Sequence, residues 1–250
     1  MTRLRAIMER AKVCAGVSAM SLRIEPEISG VAIVLRGSFN PSIFQPFWMA
    51  RQGLITDEAA ASATVGVIHQ EISQFAVESE FILNVQSDRF QISRATAPLI
   101  PVSDLCSRIF GDILPHTPIS QLGINRSVHF SVGSVRERDR IGKLIAPQDP
   151  WGEFGSGFNS DDPLKLGGLQ TMTMINKKVS DREAGWIQAR IEPSQSIGKG
   201  ETGIFIEIND HYQIKDTTDA VVAMRILQER FDASIANSDK IIDQIMSLKS

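Results

Sequence analysis

Apolar residues fall at every second position in FILNVQ, residues 81–86, and again in IFIEIN, residues 204–209, the period of a strand with one buried face. In the first stretch Gln86-Ser87-Asp88 turns the chain and Arg89 to Arg94 returns, which predicts a hairpin. The second stretch continues as Asp210-His211-Tyr212-Gln213-Ile214, matching Asp88-Arg89-Phe90-Gln91-Ile92 position for position. That match predicts a second hairpin, with Phe81, Leu83 and Val85 over Ile204, Ile206 and Ile208 and a return from His211 to Lys215. Hairpin chemistry explains the alternation and an Asp in the turn, but not the shared aromatic–Gln–Ile. An ancient duplication and a coincidence of two hairpins both remain open at this point.

The remaining pattern favours duplication. Val31 to Arg36 reads as a strand, and Asn40-Pro41-Ser42 opens a helix carrying Ile43, Phe44, Phe47 and Trp48. Thr64 to Ile72 reads as a strand. Ser103 is placed to cap a helix through Leu114, with Leu105, Ile109 and Ile113 inward. Leu122 to Val132 is a strand, Val135 to Ile145 a short helix, and residues 146–163 a loop rich in Gly, Pro and Asp. Strands at Leu166 to Val179 and Gly185 to Glu192 precede the second predicted hairpin. The order strand, helix, three strands, helix is thus expected twice, with an extra or longer strand in the second copy. This predicts an α+β fold: duplicated halves forming a continuous, mainly antiparallel sheet of about six to eight strands, covered by helices. The layout is like that of TATA-binding-protein-like or helix-grip proteins, an analogy of topology alone. The expected divisions are a leader at 1–21, a first half at 22–118 and a second half at 119–250.

From Asp219 to Leu248 there is neither Gly nor Pro, and Met224, Leu227, Phe231, Ile235, Ile242 and Ile245 form one stripe. A helix of about 30 residues spans about 45 Å, longer than a small sheet needs. Ile241, Ile242, Ile245, Met246 and Leu248 are therefore expected to project past the sheet and meet a protein partner or a second copy. The alternative is that the whole stripe packs on its own sheet.

Composition narrows the classes. The 250 residues, 42% hydrophobic and 22% charged, are ordinary for a globular protein. A net charge of −3 gives no general footprint for nucleic acid. Cys14 and Cys106 cannot build a disulfide framework, and no Cys/His cluster has zinc spacing. No apolar run suits a membrane span, and AKVCAGVSAM is too weakly apolar for a signal peptide, so a cytoplasmic protein is expected.

Chemistry is sparse. SIGKGETG, residues 196–203, lacks the upstream Gly and the following hydroxyl of a Walker loop and reads as a turn. His69-Gln70-Glu71 lacks the Pro-Cys-x-x-Cys of a zinc deaminase, and His116, His129 and His211 stand alone. Asp161-Asp162 lies in a polar loop without further carboxylates at fixed spacing. No catalytic, metal or cofactor residue is assigned. Trp151, Phe154 and Phe158, interleaved with Gly, make either a packed loop or an exposed recognition element. For nucleic acid the candidates are Arg136, Arg138, Arg140 and Lys143, diluted by Glu137 and Asp139. Scattered residues of the sheet, Arg89, Arg94, Arg126, Lys177, Lys178 and Arg190, are weaker candidates.

The hairpin FILNVQSDRFQIS and the strand QLGINRSVHF, with this element order, resemble a sporadically distributed bacterial protein family of unknown function, over most of the chain from Leu22. The resemblance implies no catalytic residues. It does imply the mobile or defence-related gene clusters with which patchily distributed families are associated. The resulting expectation is a non-enzymatic binding or assembly module. Alternatives are a nucleic-acid-binding subunit using the sheet face or the 135–145 helix, and a small-molecule binder or enzyme with a site between sheet and long helix.

Overall fold

Strand β1, Ile28–Gly37, buries Val31, Ile33 and Leu35 completely and leaves Ala32 and Val34 half exposed, so its two faces meet different surroundings. The computed structural model describes residues 22–162, 165–198, 201–215 and 217–249, and this alternation governs its sheet. The expected leader at 1–21 lies outside the described residues. The other strands are β2 Thr64–Ile68, β3 Ile72–Val77, β4 Phe81–Gln86, β5 Arg89–Arg94, β6 Ile119–Ser131, β7 Met172–Asn176, β8 Gly185–Pro193 and β9 Gly203–Gln213. All neighbours run antiparallel, in the order β2-β3-β4-β5-β1-β6-β9-β8-β7.

Read outward from the central β1–β6 pair, the first half runs β1-β5-β4-β3-β2 and the second β6-β9-β8-β7. The two orders are equivalent, as duplication predicts. The additional strand is β2, in the first half rather than the second, because the stretch read as one strand from Thr64 to Ile72 continues instead into a β2–β3 hairpin.

The second predicted hairpin does not exist. β9 runs unbroken through Asn209 and Asp210, paired with β6 from Gly203 to Gln213 and with β8 over much of the same length. Long strands on both sides hold it straight, and the chain has no Gly or Pro at this point to turn on. The first predicted hairpin is real, so the shared DRFQI-like motif spans a turn in one half and mid-strand in the other.

The helices are α1 Pro46–Arg51, α2 Asp57–Ser62, α3 Ile100–Ser107, α4 Val135–Ile145, α5 Gly152–Ser156 and α6 Val221–Met246. The expected helix from Asn40 is split: a 3-10 turn at Pro41–Ile43, capped by Asn40, precedes extended Gln45, and Pro46 restarts the helix as α1. α3 begins before Ser103, with Pro101 in its first turn, and continues as a π turn over Arg108–Ile113; Ser103 is buried within it. Ser134 caps α4 by accepting from Glu137 N at 3.1 Å.

Two cores lie on one side of the sheet. In the first, Ile33, Leu35, Phe90, Ile92 and Ile124 pack under Leu105, Ile109 and Phe110 and under Met224, Leu227 and Phe231 of α6. Phe90 and Phe110 meet edge to face with centroids 4.8 Å apart. In the second, Val128, Phe130, Ile204, Ile206 and Ile208 pack against Ile141 of α4 and against Ile242 and Met246 of α6. α6 thus crosses both cores, which is why it needs 26 residues. The expectation that its end projects past the sheet is corrected: Ile242 and Met246 are fully buried, and Ile241, Ile245 and Leu248 pack on the same core. The stripe had more sheet to cover than a single half provides.

Candidate binding surface

A charged seam separates the two cores. Arg126 on β6 sits between Ile124 and Val128, and its guanidinium donates to Asp239 Oδ1 of α6 at 2.9 Å, Ser29 Oγ at 2.8 Å and Gly30 O at 3.1 Å. Arg126 was a candidate for the outer sheet face; strand parity turns it inward instead. Two positions beyond Ile208 on β9, Asp210 accepts from Arg182 Nη1 at 2.5 Å and from the Tyr212 hydroxyl at 3.2 Å. The Arg182 guanidinium lies 3.8 Å over the Tyr212 ring and also donates to Asp181, whose carbonyl accepts from Arg230 of α6.

Burial raises the Asp239 carboxyl above its usual range, with Arg126 pulling it back. Burial likewise raises the Tyr212 phenol, and Asp210 adds to it. Hydrogen bonding to Arg182 holds Asp181 low. Both oxygens of Asp210 are engaged within the seam, so its carboxylate is already committed to Arg182 and Tyr212.

The alternate positions of the same strands form the opposite face. They belong to neither core. Across the sheet one row reads Asn84, Gln91, Val34, Gly123, His211, Trp186, each in register with the next. The adjoining row reads Ile82, Ser93, Ala32, Asn125, Asn209, Gln188. Carboxamides therefore run over β4, β5, β6, β9 and β8, and all five, from Asn84 to Gln188, are half exposed.

At the centre Gly123 leaves a notch. A Cβ there would sit 3.3 Å from Asn209 Oδ1 and 3.4 Å from Asn125 Nδ2, so the two amides lean over the glycine. Asn209 Oδ1 is buried without a hydrogen-bond partner in the protein, and so is His211 Nε2. A buried polar atom left unpaired costs about 1–3 kcal/mol, which marks this notch as a place where hydrogen bonding is incomplete. His211 stacks on Trp186 with centroids 3.8 Å apart, and farther along the face His129 lies 4.7 Å from Phe205 and shares a 2.7 Å hydrogen bond with Ser194 Oγ.

Charge on this face is locally balanced. Arg190 pairs with Glu207 at 3.2 Å and Glu192 at 3.6 Å, Arg36 pairs with Asp88 at 2.6 Å, and Arg89 donates to Gln91 Oε1. Burial lowers the pKa of both His129 and His211, the latter helped by Arg182. A depressed histidine stabilises the fold above its unfolded pKa of about 6.5, and that stability is lost as pH falls toward the folded value. Thermal stability should accordingly fall on acidification below about pH 6.5, and the combined H129Q and H211Q substitutions should flatten that slope. An unchanged slope in the double variant would assign the pH dependence elsewhere.

The other candidates drawn from the amino-acid pattern lie away from this face. Arg136 donates to Asp161 O, Arg140 chelates the Glu137 carboxylate and reaches Leu248 O, and Lys143 pairs with Asp139 and Asn159 Oδ1. Arg138 is engaged as well. The basic side chains of α4 are thus all engaged by partners within the chain. Trp151 ends a 3-10 turn at Asp149–Trp151, Phe154 stands on α5 and Phe158 lies in the turn that follows it; Trp151 and Phe154 are exposed. Cys106 is buried, and burial raises its thiol pKa.

Among the described residues no helix is long and apolar enough to cross a membrane, and no group of three His, Cys, Asp or Glu side chains is placed to hold a metal ion. No family model matches the chain, and no curated protein matches it. Among solved structures it is similar to the rolling circle replication initiator protein from Geobacillus stearothermophilus, at a TM-score of 0.31 and 10% identity over 82% of this chain and 79% of that one.

Proposed function

We propose that this protein is a non-enzymatic cytoplasmic binding and assembly module that recognises a protein partner through the helix-free face of its sheet. One observation carries the reading: five carboxamides span that face around a glycine notch, at which the buried Asn209 Oδ1 lacks a partner. Carboxamides donate and accept hydrogen bonds without titrating, which suits recognition better than proton transfer. The face also carries apolar contacts beside them, Ile82 at its margin and Val34 and Ala32 at its centre. The local pairing of Arg190 and Arg36 with carboxylates disfavours nucleic acid as the partner.

The test uses the side-chain amide signals of Asn125, Asn209, Gln91 and Gln188 in a nitrogen-15 spectrum, recorded with purified products of the neighbouring genes. These signals should shift on binding, and N125A with N209A should weaken the complex about tenfold or more while leaving the unfolding temperature near that of the parent. A complex that leaves all four amides unmoved would refute the reading. A duplex or single-stranded oligonucleotide that moves them, with steep salt dependence, would replace the protein partner with nucleic acid.

A further inference from the structure

The segment from Gln148 to Asn159 presents large aromatic side chains to solvent on a braced support. Trp151 is 58% exposed and Phe154 69% exposed, and the rings form a ladder, Trp151 to Phe154 at 6.2 Å and Phe154 to Phe158 at 4.9 Å. Gly155 is required for the closure: a Cβ there would lie 2.5 Å from Gln148 O and 2.9 Å from Trp151 Cβ. Lys143 of α4 donates to Asn159 Oδ1 at 2.8 Å, and Asn159 Nδ2 donates to Gln148 Oε1 at 3.3 Å, tying both ends of the segment to the body. Phe158 is backed by Gly167, whose amide donates to Phe158 O at 3.1 Å. Contiguous aromatic surface held outward in this way marks an interaction site.

Its charge selects the partner. From Pro147 to Asp162 the chain contains Asp149, Glu153, Asp161 and Asp162 and no Lys or Arg. The exposed carboxylates of Asp149 and Glu153 flank the ladder and enter no ion pair among the described residues. Aromatic faces attract cations, and adjoining carboxylates strengthen the attraction. The same carboxylates would be repelled by an anionic bilayer or by phosphates.

We infer that this aromatic ladder is a second recognition site, separate from the open sheet face, which binds a short cationic and apolar segment of a partner protein. Lys or Arg side chains of that segment stack on Trp151 and Phe154 against Asp149 and Glu153, and its apolar residues cover the exposed edge of the ladder. The site makes no use of the carboxamide face, so the two surfaces can be disabled one at a time.

The experiment titrates a fluorescein-labelled peptide alternating Lys and Leu, and its Glu-for-Lys counterpart, into the full chain while following anisotropy. Saturable binding of the Lys peptide alone is expected. It should weaken about tenfold or more in W151A and in E153K, both exposed positions, and persist in the N125A and N209A double variant. Equal binding of both peptides, no binding of either, or binding unchanged in W151A would each overturn the inference. Vesicles of phosphatidylcholine and phosphatidylserine supply a further arm. Sedimentation of the parent with them, lost in W151A, without binding of the Lys peptide would show a bilayer-facing element instead.

Discussion

Replacing Asp239 with alanine should lower the stability of the protein by about 3–5 kcal/mol, because it strands the Arg126 guanidinium beneath α6. The guanidinium is 6% exposed and the carboxylate 11%, so neither charge has water to fall back on. Ser29 Oγ and Gly30 O satisfy other guanidinium protons but bring no compensating charge. The raised pKa of Asp239 already records what burial costs the pair. The double change R126M with D239V removes both charges and leaves apolar side chains of similar combined volume, and it should restore most of the loss or exceed the parent. Urea denaturation of the parent and both variants would check this. A D239A protein as stable as its parent, or a double variant no better than the single one, would show that the pair is not coupled as described.

The second large effect concerns the end of the chain. Ending it at Ser238 removes Asp239, Ile242 and Met246 together and uncovers Val128, Phe130, Ile204 and Ile206. That deletion should abolish cooperative unfolding of the second half and leave material that aggregates on size exclusion. I242A alone, which empties a fully buried site, should cost about 2–5 kcal/mol. Circular dichroism melts and light scattering of both variants decide the matter. A truncated chain that melts like the parent would release Ile241, Ile245 and Leu248 from the core and return them to the role of a partner surface.

Much of the architecture was legible because local signals agreed with the global fold. FILNVQSDRFQI has a polar turn between two alternating runs, and nothing in its surroundings overrides it. α4 begins at a serine cap and ends where its periodicity ends. Asp210 misled because a buried carboxylate and a turn carboxylate look alike in sequence; only Arg182, 28 positions upstream, distinguishes them. Arg126 misled in the same way, its partner lying 113 positions away on α6. Neither partnership is visible to a pattern of a few residues. The amides of the open face were legible in part, since Asn84, Asn125 and Asn209 are the polar members of the alternations that revealed their strands. Their alignment into two adjoining rows was not, because register between strands depends on pairings that single strands do not encode.

The antiparallel β1–β6 pair at the centre of the sheet also bears on synthesis. During synthesis β1 can pair with β5 on one side once that strand has emerged, whereas its other edge waits for β6, with Val31 opposite Arg126. In that interval the nascent chain carries an unpaired strand edge beside a half-built apolar surface, the arrangement most open to pairing with another chain. The junction near residue 118 is therefore a boundary in topology and a poor place to cut. Severed there, each half would keep most of its strands and expose the one edge that the intact sheet keeps innermost.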